Sequence, residues 1–144
     1  MPAPQVEITR REEFSASHRL HNPELSDAEN RALYGICNNP NGHGHNYELE
    51  VTVRGSVPPG TGMVMNLTDL MEILRTRVLV EVDHKHLNMD VPWLTGIIPT
   101  AENLVIALWQ RIAPELTPFE GVRLHRLRLH ESRGSFVDYH GPDA

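Results

Sequence analysis

Between residues 5 and 18 the apolar side chains Val6, Ile8, Phe14 and Ala16 all fall at even numbers, with mostly polar residues between them. A period of two predicts a strand with one buried face. The alternation returns over residues 43–54, with Tyr47, Leu49, Val51 and Val53 on one side and Asn46, Glu48, Glu50, Thr52 and Arg54 on the other. "TGMVMN" (61–66) reads as a third, short strand. "RLRLHES" (126–132) is a fourth, with Leu127 and Leu129 inward, and "SFVDYH" (135–140) follows a turn at Gly134. The apolar parity shifts between Leu124 and Leu127, which predicts a bulge there.

Elsewhere the spacing becomes helical. Asn66, together with Asp69, caps a predicted helix whose apolar side is Leu67, Leu70, Met71, Leu74 and Val78. Thr100, after Pro99, is the N-cap of a second, with Val105, Leu108, Trp109 and Ile112 as its stripe. "SDAE" from Ser26 is a capping box for a shorter helix. Runs of strands broken by helices predict an α+β fold, an antiparallel β-sheet with two helices on one face, in a single domain over residues 1–144. The other face and both edges stay uncovered, so oligomerisation is expected.

Composition narrows the class. With 144 residues, 40% hydrophobic and 22% charged, the chain has the make-up of one ordinary globular domain. A net charge of −6 with no basic stripe argues against nucleic-acid binding. No apolar run approaches the roughly 18 residues of a membrane span. The opening "MPAPQVEITRREEF" carries no apolar signal region and one cysteine makes no internal disulfide, so the expected location is cytoplasmic.

Parity also places the chemistry. His43 and His45 share the inward side with Tyr47, His18 shares it with Phe14 and Ala16, and Glu131 with Leu127 and Leu129. A lone inward histidine is usually a hydrogen-bonded core residue. Two at i, i+2 project the same way and can share one ion. With His18 they offer three neutral nitrogens and an open fourth position, the arrangement of catalytic zinc. The His18 assignment depends on strand pairing, which parity alone does not give. Cys37 opens the turn "CNNPNGHGHNY" (37–47). It is either a small buried hydrophobe or a thiol whose pKa a nearby metal and imidazole lower. In "VDHKHLN" (82–88) Asp83 follows a helix end and can fix the tautomer of His84. His21, His86, His125, His130 and His140 read as solvated surface residues. A closed structural zinc module with Cys37 as fourth ligand, and a binding protein without turnover, are the other readings these residues allow.

Six blocks, taken in order, carry a resemblance: "FSASHRLHNPELSDAEN" (14–30), "CNNPNGHGHNY" (37–47), "TGMVMNLTDL" (61–70), "VDHKHLNMDVP" (82–92), "PTAENL" (99–104) and "LHES" (129–132). Over most of its length the chain resembles the 6-pyruvoyl-tetrahydropterin synthase family. The resemblance implies the tunnelling fold, in which subunits pool their sheets into a trimeric barrel and two trimers stack into a homohexamer with sites at subunit interfaces. It implies one Zn²⁺ per subunit on His18, His43 and His45, with Cys37 as the proton acceptor. His84, oriented by Asp83, would belong to the catalytic relay beside Cys37. Glu131 would anchor the pterin, and Thr100, Ala101 and Glu102 would line its pocket, partly from a neighbouring subunit. Ala101 stands where animal members typically carry a second Thr, which bears on one pocket hydrogen bond, and His86 where they carry Asn.

The implied reaction converts 7,8-dihydroneopterin triphosphate to 6-pyruvoyl-tetrahydropterin with triphosphate elimination, a lyase step of tetrahydrobiopterin-type pterin biosynthesis, and Mg²⁺ is the expected companion of the triphosphate. Zinc would act as a Lewis acid on a side-chain oxygen, and the Cys37 thiolate would remove the acidified proton. The rival of the same fold is 6-carboxy-tetrahydropterin synthase, which acts on the same substrate and feeds queuosine and other deazapurine synthesis. Cys37 and His43 enclose five residues, a C-x5-H-G-H spacing like the pyruvoyl-forming members. The carboxy-forming members typically show C-x3-H-G-H.

Overall fold

The computed structural model describes residues 3–143. Strands β1 (Gln5–His18) and β2 (His43–Ser56) pair antiparallel over their full length, with Phe14 opposite Tyr47, Ala16 opposite His45 and His18 opposite His43. β4 (Arg123–Ser132) pairs with β2, and β5 (Ser135–Tyr139) returns from the tight turn to pair with β4. The bulge lies where the parity shift puts it: Thr52 faces Arg126 but Val53 faces Leu124, leaving His125 as the extra residue.

The third predicted strand is absent. Residues 61–66 turn instead, because Gly62 sits at φ +70 and the Thr61 hydroxyl accepts from the Met63 N–H. The fifth strand is β3 (Lys85–His86), two residues pairing parallel with Ala16 and Ser17. The sheet order is β3-β1-β2-β4-β5.

Four α-helical segments complete the chain: α1 (Asp27–Tyr34), α2 (Leu67–Leu74), α3 (Val80–Val82) and α4 (Ala101–Ile112). The side chains of Ser26, Asn66 and Thr100 cap α1, α2 and α4, each accepting a backbone N–H of the first turn. Between α2 and α3 the chain makes a π turn over Arg75–Leu79. Leu70, Leu74, Val78 and Val82 are all fully buried and recur every four residues. In a regular α-helix such a stripe drifts by about 40° per step; the wider π turn winds the drift back and keeps all four on the core. Leu67 and Met71, predicted on that stripe, are instead 47% and 38% exposed.

The core lies between one sheet face (Phe14, Tyr47, Leu49, Val51, Leu127, Leu129) and the helices, with Leu104, Leu108 and Ile112 of α4 fully buried. Trp109 is only partly buried at its margin. The other sheet face is polar and cross-linked: Thr9 bonds Thr52 at 2.7 Å, Arg11 meets Glu48 at 3.1 Å, His130 meets Glu50 at 2.7 Å, and Arg128 meets Asp138 at 2.7 Å. β1 pairs with β3 only at Ala16 and Ser17, so most of its outer edge stays open, as does that of β5.

Candidate active site

Strand register brings the three histidines together. His18 ends β1 directly opposite His43, the first residue of β2, and His45 follows on the same face opposite the small side chain of Ala16. One nitrogen from each ring lies within 4.8 Å of the others. Gly42, at φ +75, makes the entry to β2 possible, because a Cβ there would stand 2.8 Å from the His18 carbonyl oxygen.

The ring of His18 is fully buried, and its Nδ1 lies 2.8 Å from the Pro99 carbonyl oxygen. A carbonyl only accepts, so Nδ1 carries the proton and Nε2 carries the lone pair. That Nε2 is buried and has no partner among the described residues, and the same holds for His43 Nδ1. Burial, only partly offset by the Pro99 bond, pushes the His18 pKa down, and burial does the same to His45 against the pull of Glu131. Both rings are thereby neutral near pH 7. The Nε2 atoms of His43 and His45 stand 2.9 Å apart, close to the ~3.3 Å expected of two nitrogens on one tetrahedral zinc. Three converging imidazoles with an orphaned, buried nitrogen on His18 fit a divalent cation. The tautomer-fixing carbonyl is the outer contact such ligands usually have.

Glu131, on β4, brings Oε1 to 3.9 Å from His45 Nε2. Cys37 lies in the 3₁₀ turn Gly35–Asn38 and is half-buried. Burial and the Glu131 carboxylate push its thiol above the ordinary range; the lowering expected from the sequence requires the positive charge of a bound cation. Tyr47, fully buried below the rings, is also raised, by burial first and then by Glu131 and Cys37. These groups therefore share one electrostatic neighbourhood.

Glu131 also lines a pocket of about 290 Å³ with Thr100, Ala101, Glu102, Leu20 and Tyr34. Thr100–Glu102 and Glu131 line this pocket from within one chain. The start of α4 thus has two duties, since Thr100 caps the helix and Pro99 just before it orients His18.

Asp83 and His84 fall elsewhere. Asp83 ends α3, accepts the Ser15 N–H at 2.9 Å, and lies 3.0 Å from His84 Nδ1. His84 sits at φ +61, donates its own N–H to the Ser15 carbonyl at 2.6 Å, and has a side chain 82% exposed. It lines a cleft with Ser15, Ser17 and Asn46, the odd and even partners that face away from the helices. No hydrogen bond or ion pair among the described residues joins it to Cys37 or to the three rings. Within one chain the strand's two faces separate it from that cluster: Ser15 and Ser17 point opposite to Ala16 and His18.

Sequence reasoning gave no site role to Pro99 and Leu20, though both lie in the quoted blocks, or to Tyr34, which lies outside them. It also took His130 for a solvated residue, whereas its side chain is only 20% exposed and paired with Glu50.

Fold and donor set together define a class: an α+β protein with an open three-imidazole centre at one end of its sheet. The sequence profile of 6-pyruvoyl tetrahydropterin synthase matches residues 7–142, and the chain belongs to that family. It is 48% identical to the 6-pyruvoyl tetrahydrobiopterin synthase of Poecilia reticulata, over 93% of this chain and 89% of that one. To the Homo sapiens protein of the same name it is 45% identical, over 95% and 92% of the two chains. The solved structure of Caenorhabditis elegans 6-pyruvoyl tetrahydropterin synthase superposes with a TM-score of 0.90 at 38% identity, covering 98% of this chain and 99% of that one.

Proposed function

We propose that the chain is a zinc-dependent lyase that converts 7,8-dihydroneopterin triphosphate to 6-pyruvoyl-tetrahydropterin with loss of triphosphate. The observation that carries this reading is the bare, buried Nε2 of His18, aimed at two further imidazoles with Cys37 and Glu131 alongside. His18, His43 and His45 would hold the ion; bound there, it supplies Lewis acidity and the positive charge that favours a Cys37 thiolate.

The chain's own groups do the rest. Glu131 accepts the paired N–H groups at the pterin edge, much as a carboxylate accepts a guanidinium. Thr100, Ala101 and Glu102 close the pocket around that edge. Cys37 takes the proton from the substrate's side-chain carbon, and the resulting tautomerisation expels triphosphate. His84 keeps its Nδ1 proton on Asp83, which leaves Nε2 free to relay a proton. Its exposure on the opposite sheet face fits a relay to Cys37 of a neighbouring subunit.

The open edges of β1 and β5 support closure of three sheets into a barrel, stacked in pairs as a homohexamer. The proposal includes one domain over the whole chain, a cytoplasmic location and Mg²⁺ accompanying the triphosphate. No helix among the described residues is long and apolar enough to cross a membrane.

Metal analysis of His43→Ala tests the centre. Two remaining imidazoles hold zinc far more weakly than three, so the variant should purify with little zinc and little activity. Full zinc occupancy in His43→Ala would contradict the assignment.

A further inference from the structure

Glu131 can hold one edge of a flat bicyclic ligand, but an edge contact leaves both ring faces in need of a wall. Two aromatic residues line the pocket, Tyr34 and Phe136. The ring of Phe136 is already engaged on the far side of the sheet, 4.3 Å beneath the Arg128 guanidinium and 5.1 Å from the His130 ring. Tyr34 has no such engagement. It is the last residue of α1, a helix whose one buried residue is Asn30. It is itself half-buried, and its hydroxyl makes no hydrogen bond among the described residues.

Its position is fixed relative to the chemistry. Gly35, at φ +58, ends α1 immediately after Tyr34, and the 3₁₀ turn that follows presents Cys37. The Gly35 N–H bonds back to the Arg31 carbonyl, and the Asn38 amide bonds the Leu20 carbonyl at 2.7 Å. Tyr34, Leu20 and Cys37 thus sit on one braced unit, with the first two walling the pocket and the third within the electrostatic reach of Glu131.

We propose that Tyr34 is a substrate-binding residue whose ring packs on the face of the pterin that Glu131 holds by its edge, with its free hydroxyl bonding a polar atom of the ligand. The inference rests on the pterin reading above. It gives the pocket a second point of recognition that senses a planar heteroaromatic ring rather than its N–H pattern.

Calorimetric titration with 7,8-dihydroneopterin of the zinc-loaded wild type, Cys37→Ala, Tyr34→Phe, Tyr34→Leu and Tyr34→Ala tests it. Loss of the ring should weaken binding about five- to a hundredfold, the worth of one base–aromatic stack, with zinc content unchanged. Tyr34→Phe, lacking only the hydroxyl, should lose about two- to tenfold. In turnover the loss should appear in KM with kcat largely kept. Tyr34→Leu preserves apolar bulk, so a folding defect confined to the alanine variant leaves the test intact. Wild-type affinity in Tyr34→Leu at full zinc content overturns the role of Tyr34 alone. Failure of both wild type and Cys37→Ala to bind the pterin overturns the pterin reading, and this inference with it.

Discussion

The Pro99 carbonyl turns His18 from a core histidine into a candidate ligand. By accepting the hydrogen bond of the Nδ1 proton it leaves a lone pair on a buried Nε2 that has no partner among the described residues. An orphaned polar atom of that kind costs stability unless a ligand arrives, so the strain of the site points to what it is for. The same distinction between binding and chemistry separates Glu131 from Cys37. Glu131→Ala should lose roughly ten- to a hundredfold in pterin affinity, the worth of a charge-assisted hydrogen bond. If Cys37 is the proposed base and nothing more, Cys37→Ala should keep both zinc and pterin yet lose turnover. Calorimetry beside a turnover assay reads the split; near-normal turnover in Cys37→Ala would refute the general-base role.

Strands and caps set the geometry that these residues need. Gly42 is a tight point beside the imidazoles: its backbone is at φ +75, and a Cβ there would stand 2.8 Å from the His18 carbonyl oxygen. Gly42→Ala should cost about 1–3 kcal/mol of stability and weaken zinc binding by displacing His43. Thermal unfolding with metal analysis checks this, and an unchanged melting temperature would contradict it. Period-two alternation and the caps at Ser26, Asn66 and Thr100 were legible in the chain because each is a local rule. The parity of His18, His43 and His45 was legible for the same reason, and the register then placed His18 opposite His43. What local rules missed was set by long-range partners. β3 is two residues long and exists because β1 offers it an edge. The π turn appears only when the four-residue stripe must meet the core. His84 lies in no run long enough to have parity, so its face could not be read. Tyr34 was hidden because a helix's last residue is aimed by the glycine after it.

A lone subunit presents two open strand edges, a cross-linked polar sheet face, and an exposed histidine whose Nδ1 lies 3.0 Å from Asp83. Each is accounted for if subunits close edge to edge. Light scattering should therefore report a hexamer, and a 16.3 kDa monomer at micromolar concentration would contradict the assembly and with it the relay between subunits.

The length of the loop after Cys37 bears on the product. Between Cys37 and His43 the chain runs through Asn38, tied to the Leu20 carbonyl, and the Asn39–Gly42 turn, closed by a 2.8 Å hydrogen bond. On the proposed mechanism this five-residue span sets where the thiol reaches along the substrate side chain, because a general base must lie within hydrogen-bonding distance of the proton it takes. The pyruvoyl route keeps all three side-chain carbons, whereas the carboxy route cleaves them and releases acetaldehyde. The decisive measurement is product analysis of the purified, zinc-loaded protein with 7,8-dihydroneopterin triphosphate. Triphosphate release with 6-pyruvoyl-tetrahydropterin and no acetaldehyde is the predicted result; acetaldehyde appearing in step with triphosphate would contradict it.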